Sequence, residues 1–403
     1  MLSLLLVIIY FAFISLGLPD ALLGAAWPSL YPTLGVPISY AGTIAMIISA
    51  GTIVSSLCSD RLQRHFGTGR ITAFSVSLTA AALFGFSFSS SFLQLCFWAI
   101  PYGLGAGSVD AALNNYVALH YESRHMNWLH CMWGIGASLG PYLMGFCLTH
   151  GWGWANGYRS VGTIQIVLSA ILLITLPLWK KKDAQRVTAK PKEPSSPPSG
   201  LSSILSLPGA KAILLCFFCY SALEATVGLW ASSFLSLTIG VEPDIAAGFA
   251  SLFYLGITGG RAVSGFLSLR FDDDALIRGG LRTIGIGLAF LGMSLFCSML
   301  WTNQAALLPV MLALIGLVLM GLGCAPIYPG IIHSTPTHFG KDRSQAMIGL
   351  QMVCAYVGSC FLPPLFGVLA RRVSVALLPL YVFLLLALMF VMHRRVLRAS
   401  VVR

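Results

Sequence analysis

Asp110 and Asn114 stand four residues apart in GSVDAALNN, Gly107 to Asn115, within FWAIPYGLGAGSVDAALNNYVAL, where no other charged residue occurs. On a helix that spacing puts both side chains on one face, with Asn115 about 100° further round. Asp110 lies ten residues before His120, or about 15 Å along a helix at 1.5 Å per residue. In a segment this apolar, that depth is close to the middle of a bilayer. Removal from water disfavours the charged form of a carboxylate, so such a group suits proton uptake and release. The adjacent amides offer donors and acceptors to a polar ligand. The plainer alternative is an Asp sealed into helix–helix hydrogen bonds.

Three more charges lie away from the predicted loops: Asp20, Glu224 and Arg261. Each costs about 2.5–3.5 kcal/mol near the centre of an isolated helix in lipid, so each is expected to face a water-filled cavity or a partner. Glu224 and Arg261 are candidates for a pair across the seventh and eighth spans, serving as a gate or a structural tie. His130 and Trp133 lie three residues apart in NWLHCMWGIG and are expected to share a helix face. A histidine there suits hydrogen bonding to a hydroxyl or proton transfer, or a bond to a neighbouring helix. Trp27, Trp133 and Trp230 are candidate flat faces for a sugar ring, and Trp98, Trp152, Trp154, Trp179 and Trp301 read as interface anchors.

The elements that must position these residues follow from composition. The chain of 403 residues is 57% hydrophobic and only 9% charged, against roughly 25% charged in soluble domains. Apolar runs long enough to span a bilayer recur throughout, at about 3–30, 39–59, 71–90, 92–119, 126–149, 160–179, 210–237, 244–269, 279–301, 306–335, 343–370 and 374–393. Twelve spans make this an all-α, multi-pass membrane protein. The net charge of +11 sits mainly in alternate loops, so it orients the chain with both termini and the 180–200 segment in the cytoplasm. That placement argues against nucleic acid as a partner and makes the lipid bilayer the expected one. The apolar N-terminus lacks the basic region and cleavage site of a signal peptide and reads as the first span. The ten cysteines lie almost entirely within spans, where they act as small apolar filler.

The chain divides into two halves. KKKDAQRVTAKPKEPSSPPSG, Lys180 to Gly200, is basic and rich in Pro and Ser, as expected of a linker. The expected units are therefore a bundle over 1–179, a cytoplasmic linker over 180–209 and a second bundle over 210–403. A weak repeat joins the bundles. GTIVSSLCSDRL (Gly51–Leu62) matches GRAVSGFLSLRF (Gly260–Phe271), and IGASLGPYLMG (Ile135–Gly145) matches VGSCFLPPLFG (Val357–Gly367). GLG recurs at Gly103 and Gly321, and PDALLGAAW answers LEATVGLW, each acid four residues before a Gly. Two parallel six-helix pseudo-repeats resemble the major facilitator fold, with a substrate site at the bilayer midplane. SDRLQRHFGTGR (Ser59–Arg70) resembles that superfamily's signature loop, which implies conformational charge contacts for Asp60 and Arg61.

Several motifs together resemble the fucose/galactose:proton symporter family. They are LGLPDALLGAAWP around Asp20, GLGAGSVDAALNN around Asp110, NWLHCMWGIGASLGP, YSALEATVGLW and GGRAVSGF. The resemblance covers most of the chain and is densest from Gly103 to Pro141. It implies proton-coupled uptake of a sugar-like solute in the plasma (inner) membrane, with Asp20 and Asp110 as proton-linked carboxylates. Asn114, Asn115, His130, Trp133, Trp27 and Trp230 are then the expected solute-binding residues, and a monomer the expected state. Two positions depart from the fucose symporter: Asp110 replaces a Glu, and His130 replaces a Gln.

Enzyme chemistry finds no footing. There is no Walker loop, so the expected energy source is a proton gradient with no cofactor. His333 and His338 lack HExxH spacing, so no metal site is expected. GLGAG lacks the strand-to-helix setting of a dinucleotide site. The remaining alternatives are proton-antiport export of amphipathic compounds, which the same carboxylates would serve, and a non-transporting sensor.

Overall fold

The computed structural model describes residues 4–121, 123–179, 204–300 and 307–401. Most of the expected linker and Trp301 fall outside the described residues, as do the side chains of Asp60, Arg61 and Asn115. Among the described residues the chain is helical and contains no strand.

The chain forms two compact units. Unit 1 comprises Met1–Glu193 with Asp244–Ser251, and unit 2 comprises Pro194–Pro243 with Leu252–Arg403. Unit 1 opens with α1 (Leu4–Asp20) and α2 (Leu22–Thr33), which together form the first span, then α3 (Tyr40–Phe66), α4 (Thr68–Phe88), α5 (Phe92–His120), α6 (Ser123–Thr149) and α7 (Gly153–Ile174). Next come α8 (Ala210–Phe234), which continues as a π turn over Leu235–Ile239, and the short α9 (Pro243–Phe249). Unit 2 goes on through α10 (Ser251–Leu267), α11 (Asp273–Leu300), α12 (Leu307–Cys324), α13 (Ile327–Phe339), α14 (Lys341–Arg372) and α15 (Leu378–Val401).

Eleven helical stretches among the described residues are long and apolar enough to cross a membrane, one fewer than the twelve expected. The exception is the predicted eighth span, 244–269. It folds as α9 and α10, interrupted at Ala250, and the longer piece has 17 residues. Hydropathy averages over a window and does not register a one-residue break.

Glycine makes the close helix contacts that lipid does not drive by itself. In unit 1, a Cβ on Gly17, Gly136 or Gly140 would strike backbone where α1 and α6 cross, at Trp133, Ile14 and Leu18 respectively. Gly103 and Gly107 bring α5 onto Ile48 and Thr52 of α3 in the same way. Hydroxyls of α3 then reach α5 carbonyls, Ser56 to Gly107 at 3.1 Å and Thr52 to Gly103 at 3.3 Å. Unit 2 repeats the device, with Gly256 and Gly321 joining α10 to α12. These contacts fix the height of α5 and α6, and hence of Asp110 and Trp133.

Candidate functional site

Three helices of unit 1 carry the candidate groups. α1 holds a proline, Pro19, immediately before Asp20, and the helix stops there; Ala21 forms a turn before α2 begins. The Asp20 side chain is exposed at this break. α6 supplies its partner: the Trp133 indole N–H donates to Asp20 Oδ2 at 2.7 Å. Such a bond is stronger when the accepting carboxylate is ionised than when it is neutral. One turn before Trp133, the His130 ring meets Phe13 edge-on at 6.1 Å between centroids.

α5 presents the second carboxylate. Asn114 Nδ2 donates to Asp110 Oδ1 at 2.8 Å and to the Asp110 carbonyl at 3.0 Å. The same-face geometry expected from the four-residue spacing is thus present. The other end of the amide has no such satisfaction, since Asn114 Oδ1 is buried with no hydrogen-bond partner. A buried acceptor left open costs about 1–3 kcal/mol, so this atom is poised to gain from a donor.

Two of the expected solute-facing residues are core residues in this conformation. Trp27 is fully buried and its indole donates to the Ile38 carbonyl at 2.8 Å. Trp230 is fully buried too, bonded to the Pro363 carbonyl at 3.0 Å and edge-on to Phe366. Neither presents a free face, because both ring and donor are used in packing. Trp179, expected as an interface anchor, is also buried and packs against Tyr116 and over Gly69.

In unit 2, Glu224 on α8 and Arg261 on α10 act electrostatically on the same two side chains, Tyr220 and Cys324. The expected charge pair therefore occupies one neighbourhood. Elsewhere in unit 2, sequence reasoning weighed His333 and His338 only as metal ligands and missed their carboxylate partners: Asp274 Oδ1 lies 3.4 Å from His338 Nε2 and 3.3 Å from His393 Nε2, and Asp273 lies 2.7 Å from His333. It also passed over Gln165 of α7, which is buried and hydrogen-bonded at both its nitrogen and its oxygen. An amide in VGTIQIVLSAILLI is the signal that would have found it. Among the described residues no cluster of three or more His, Cys, Asp or Glu side chains is arranged to hold a metal ion.

Two glycine-locked helical units carrying intramembrane carboxylates define a polytopic solute transporter rather than an enzyme. The chain belongs to the Major Facilitator Superfamily, whose family model matches residues 9–317. Bypass of stop codon protein 6 of Saccharomyces cerevisiae is 23% identical over 404 residues, covering 93% of this chain and 79% of that protein. Sodium-dependent glucose transporter 1A of Mus musculus is 24% identical, covering 66% of this chain and 70% of its own length. Glucose/mannose transporter GlcP of Bacillus subtilis is also 24% identical, with 65% and 66% covered. Among solved structures, a bacterial homolog of the human lysosomal transporter Spinster, inward-facing and occupied, matches with a TM-score of 0.67. Its identity is 12%, over 98% of this chain and 96% of that one, so the likeness is one of fold.

Proposed function

We propose that this transporter carries out proton-coupled symport of a sugar or similar polar small solute by alternating access, with Asp20 and Asp110 as the proton-linked carboxylates. The observation that carries the reading is the Asp110–Asn114 pair with its open Asn114 Oδ1. When Asp110 is charged it accepts from the amide N–H. When protonated it becomes a donor, and the complementary arrangement turns the amide so that Oδ1 accepts and Nδ2 is released. A solute hydroxyl then meets an open acceptor beside the charged carboxylate and an open donor beside the protonated one, so its orientation follows the proton. Binding and protonation are thereby linked through one side chain. The glucose-transporting relatives support a sugar as the solute, at low identity.

Around this pair, Trp133 and His130 complete the proposed binding face, with Asn115 as a further candidate and Asp20 held by the indole. Glu224 and Arg261 are proposed as gating charges, and Asp60 and Arg61 as conformational charges. The proposed setting is the plasma (inner) membrane with both termini cytoplasmic, the protein acting as a monomer without a cofactor.

The test is uptake of radiolabelled D-glucose and D-mannose into proteoliposomes under an imposed pH gradient, with a sodium gradient run separately. Uphill accumulation driven by the pH gradient, lost at least about tenfold in Asp110→Asn while counterflow persists, is the expected result. A tenfold loss corresponds to about 1.4 kcal/mol. Full accumulation by a well-folded Asp110→Asn protein overturns the role of Asp110. Accumulation driven by sodium alone replaces the proton, and competition by bulky amphipathic cations replaces symport with export.

A further inference from the structure

We infer that Gln165 of α7 is a positioning residue for Asp20, clamping the proline break in the first span through the carbonyl of Ser15. In a continuous α-helix the Ser15 carbonyl accepts the N–H of the residue four positions on. That residue is Pro19, which has no N–H to give and whose ring crowds that same carbonyl. An orphaned carbonyl inside a membrane must be satisfied by a neighbour. Gln165 does this from another helix, with Nε2 donating to the Ser15 carbonyl at 2.9 Å. Its other end is fixed in turn, because Thr79 Oγ1 of α4 donates to Gln165 Oε1 at 2.7 Å. Both Gln165 and Thr79 are buried.

The surroundings make this clamp the polar restraint on the α7 side of the turn. Ser15, Pro19, Thr79 and Gln165 line a cavity of about 10 Å³ with Ala106 and Val109 of α5, and Ser15 Oγ is buried without a partner. A void of this size holds at most about one water, and it removes packing from the side of α1 where the proline sits. The last turn of α1 packs on α6 at Gly17 and Leu18, while beside the cavity the amide is what holds it. Asp20 is the next residue after Pro19, so movement of that turn moves its carboxylate relative to Trp133. Gln165 touches neither solute nor the reacting proton; it acts through the backbone.

The relevance to transport rests on Asp20 being a coupling group, but the clamp can be tested without any solute. Thermal melting of purified protein is measured for wild type, Gln165→Leu, Pro19→Ala and the double variant. Pro19→Ala restores an N–H to the Ser15 carbonyl, so the drop caused by Gln165→Leu is expected to shrink by about half or more in that background. Equal drops in both backgrounds overturn the clamp. Positioning is read by labelling with dicyclohexylcarbodiimide, resolved by peptide mass spectrometry into Asp20 and Asp110. Gln165→Leu is expected to change the Asp20 labelling rate about threefold or more while the Asp110 rate holds. An unchanged Asp20 rate, or equal changes at both sites, overturns the positioning role. If Asp20→Asn leaves proton-driven uptake intact, the coupling reading fails, while the melting cycle still decides the clamp.

Discussion

The first and seventh spans begin from matched sequence and end as different structures. PDALLGAAW and LEATVGLW each place an acid four residues before a glycine. In the first, Pro19 precedes the acid and the helix stops at Asp20. In the second, Leu223 precedes Glu224 and α8 runs unbroken from Ala210 to Phe234. The acids differ accordingly: Asp20 is exposed and held by an indole, whereas Glu224 is half-buried among Tyr220, Cys324 and Arg261. The tryptophans do not differ, since Trp27 and Trp230 are both buried and both bonded to a backbone carbonyl. The two halves have kept a packing tie and diverged at the acid. One proline separates a carboxylate at a helix break from a carboxylate within an unbroken helix.

The strongest test of that comparison is to transplant the proline. Leu223→Pro orphans the Cys219 carbonyl in a helix interior, where a proline costs about 3 kcal/mol or more. Among the described residues no side-chain amide is bonded to the Cys219 carbonyl as Gln165 is bonded to that of Ser15. Leu223→Pro is therefore expected to abolish monodisperse protein in size-exclusion chromatography, while Pro19→Ala yields folded protein. Comparable yields from both would show that the two spans tolerate a break equally, and the comparison would fail.

Much of this contrast was legible in the sequence, and the rest was hidden for definite reasons. Hydropathy located eleven of the twelve expected spans, the four-residue spacing put Asp110 and Asn114 on one helix face, and the linker and weak repeat pointed to two halves, without the Asp244–Ser251 segment that clusters with unit 1. The Asp20–Trp133 bond was not legible, because it joins helices 113 residues apart and nothing local encodes their rotation. Trp27 and Trp230 were expected at a solute face because composition cannot tell a ring lining a cavity from one filling a core. Gln165 was overlooked because a neutral amide hardly lowers the hydropathy of its span. The break at Ala250 has no proline or glycine at the turn itself to announce it, although Gly248 lies two residues before.

The next effect separates the halves by where their polar groups meet. Both units set carboxylates inside spans, but unit 2 also joins Asp274 at the start of α11 to His338 near the end of α13 and to His393 within α15. Asp274 lies in the first turn of α11, where the helix dipole favours a negative charge, and its two histidines are buried. Asp274→Ala removes the carboxylate that His338 and His393 share, and a buried polar group that loses its partner costs about 1–3 kcal/mol. Asp274→Asn keeps one acceptor oxygen and is expected to fall between Ala and wild type in thermal melting. Identical melting of the three proteins would mean that the cluster contributes nothing to unit 2.

The smallest effect sharpens the part of the comparison in which the halves agree. Trp27 and Trp230 each fill a core and each donate one hydrogen bond, but their acceptors differ in kind. Ile38 is 11 residues from Trp27, so that bond closes a local loop. Pro363 lies 133 residues from Trp230, so that bond ties α8 to α14. Replacing either indole with phenyl removes one donor and some packed surface, and a typical buried hydrogen bond is worth about 1 kcal/mol net. The carbonyls fare differently once the donor is gone. Ile38 precedes Ser39 at the start of α3 and is partly exposed, so water replaces the indole there. Pro363 sits within α14, where its carbonyl can still accept the N–H of Gly367 in the helix. Neither loss is therefore fully penalised, and both variants should fold. Trp230→Phe should nonetheless lower the melting temperature more than Trp27→Phe, because the Trp230 indole packs edge-on against Phe366 of another helix at 5.5 Å, whereas Trp27 pairs with Tyr31 of its own helix at 6.2 Å, and aromatic pairs are worth about 0.5–1.5 kcal/mol. A larger drop for Trp27→Phe would show that the loop tie, rather than the helix–helix tie, is what the matched tryptophans have preserved.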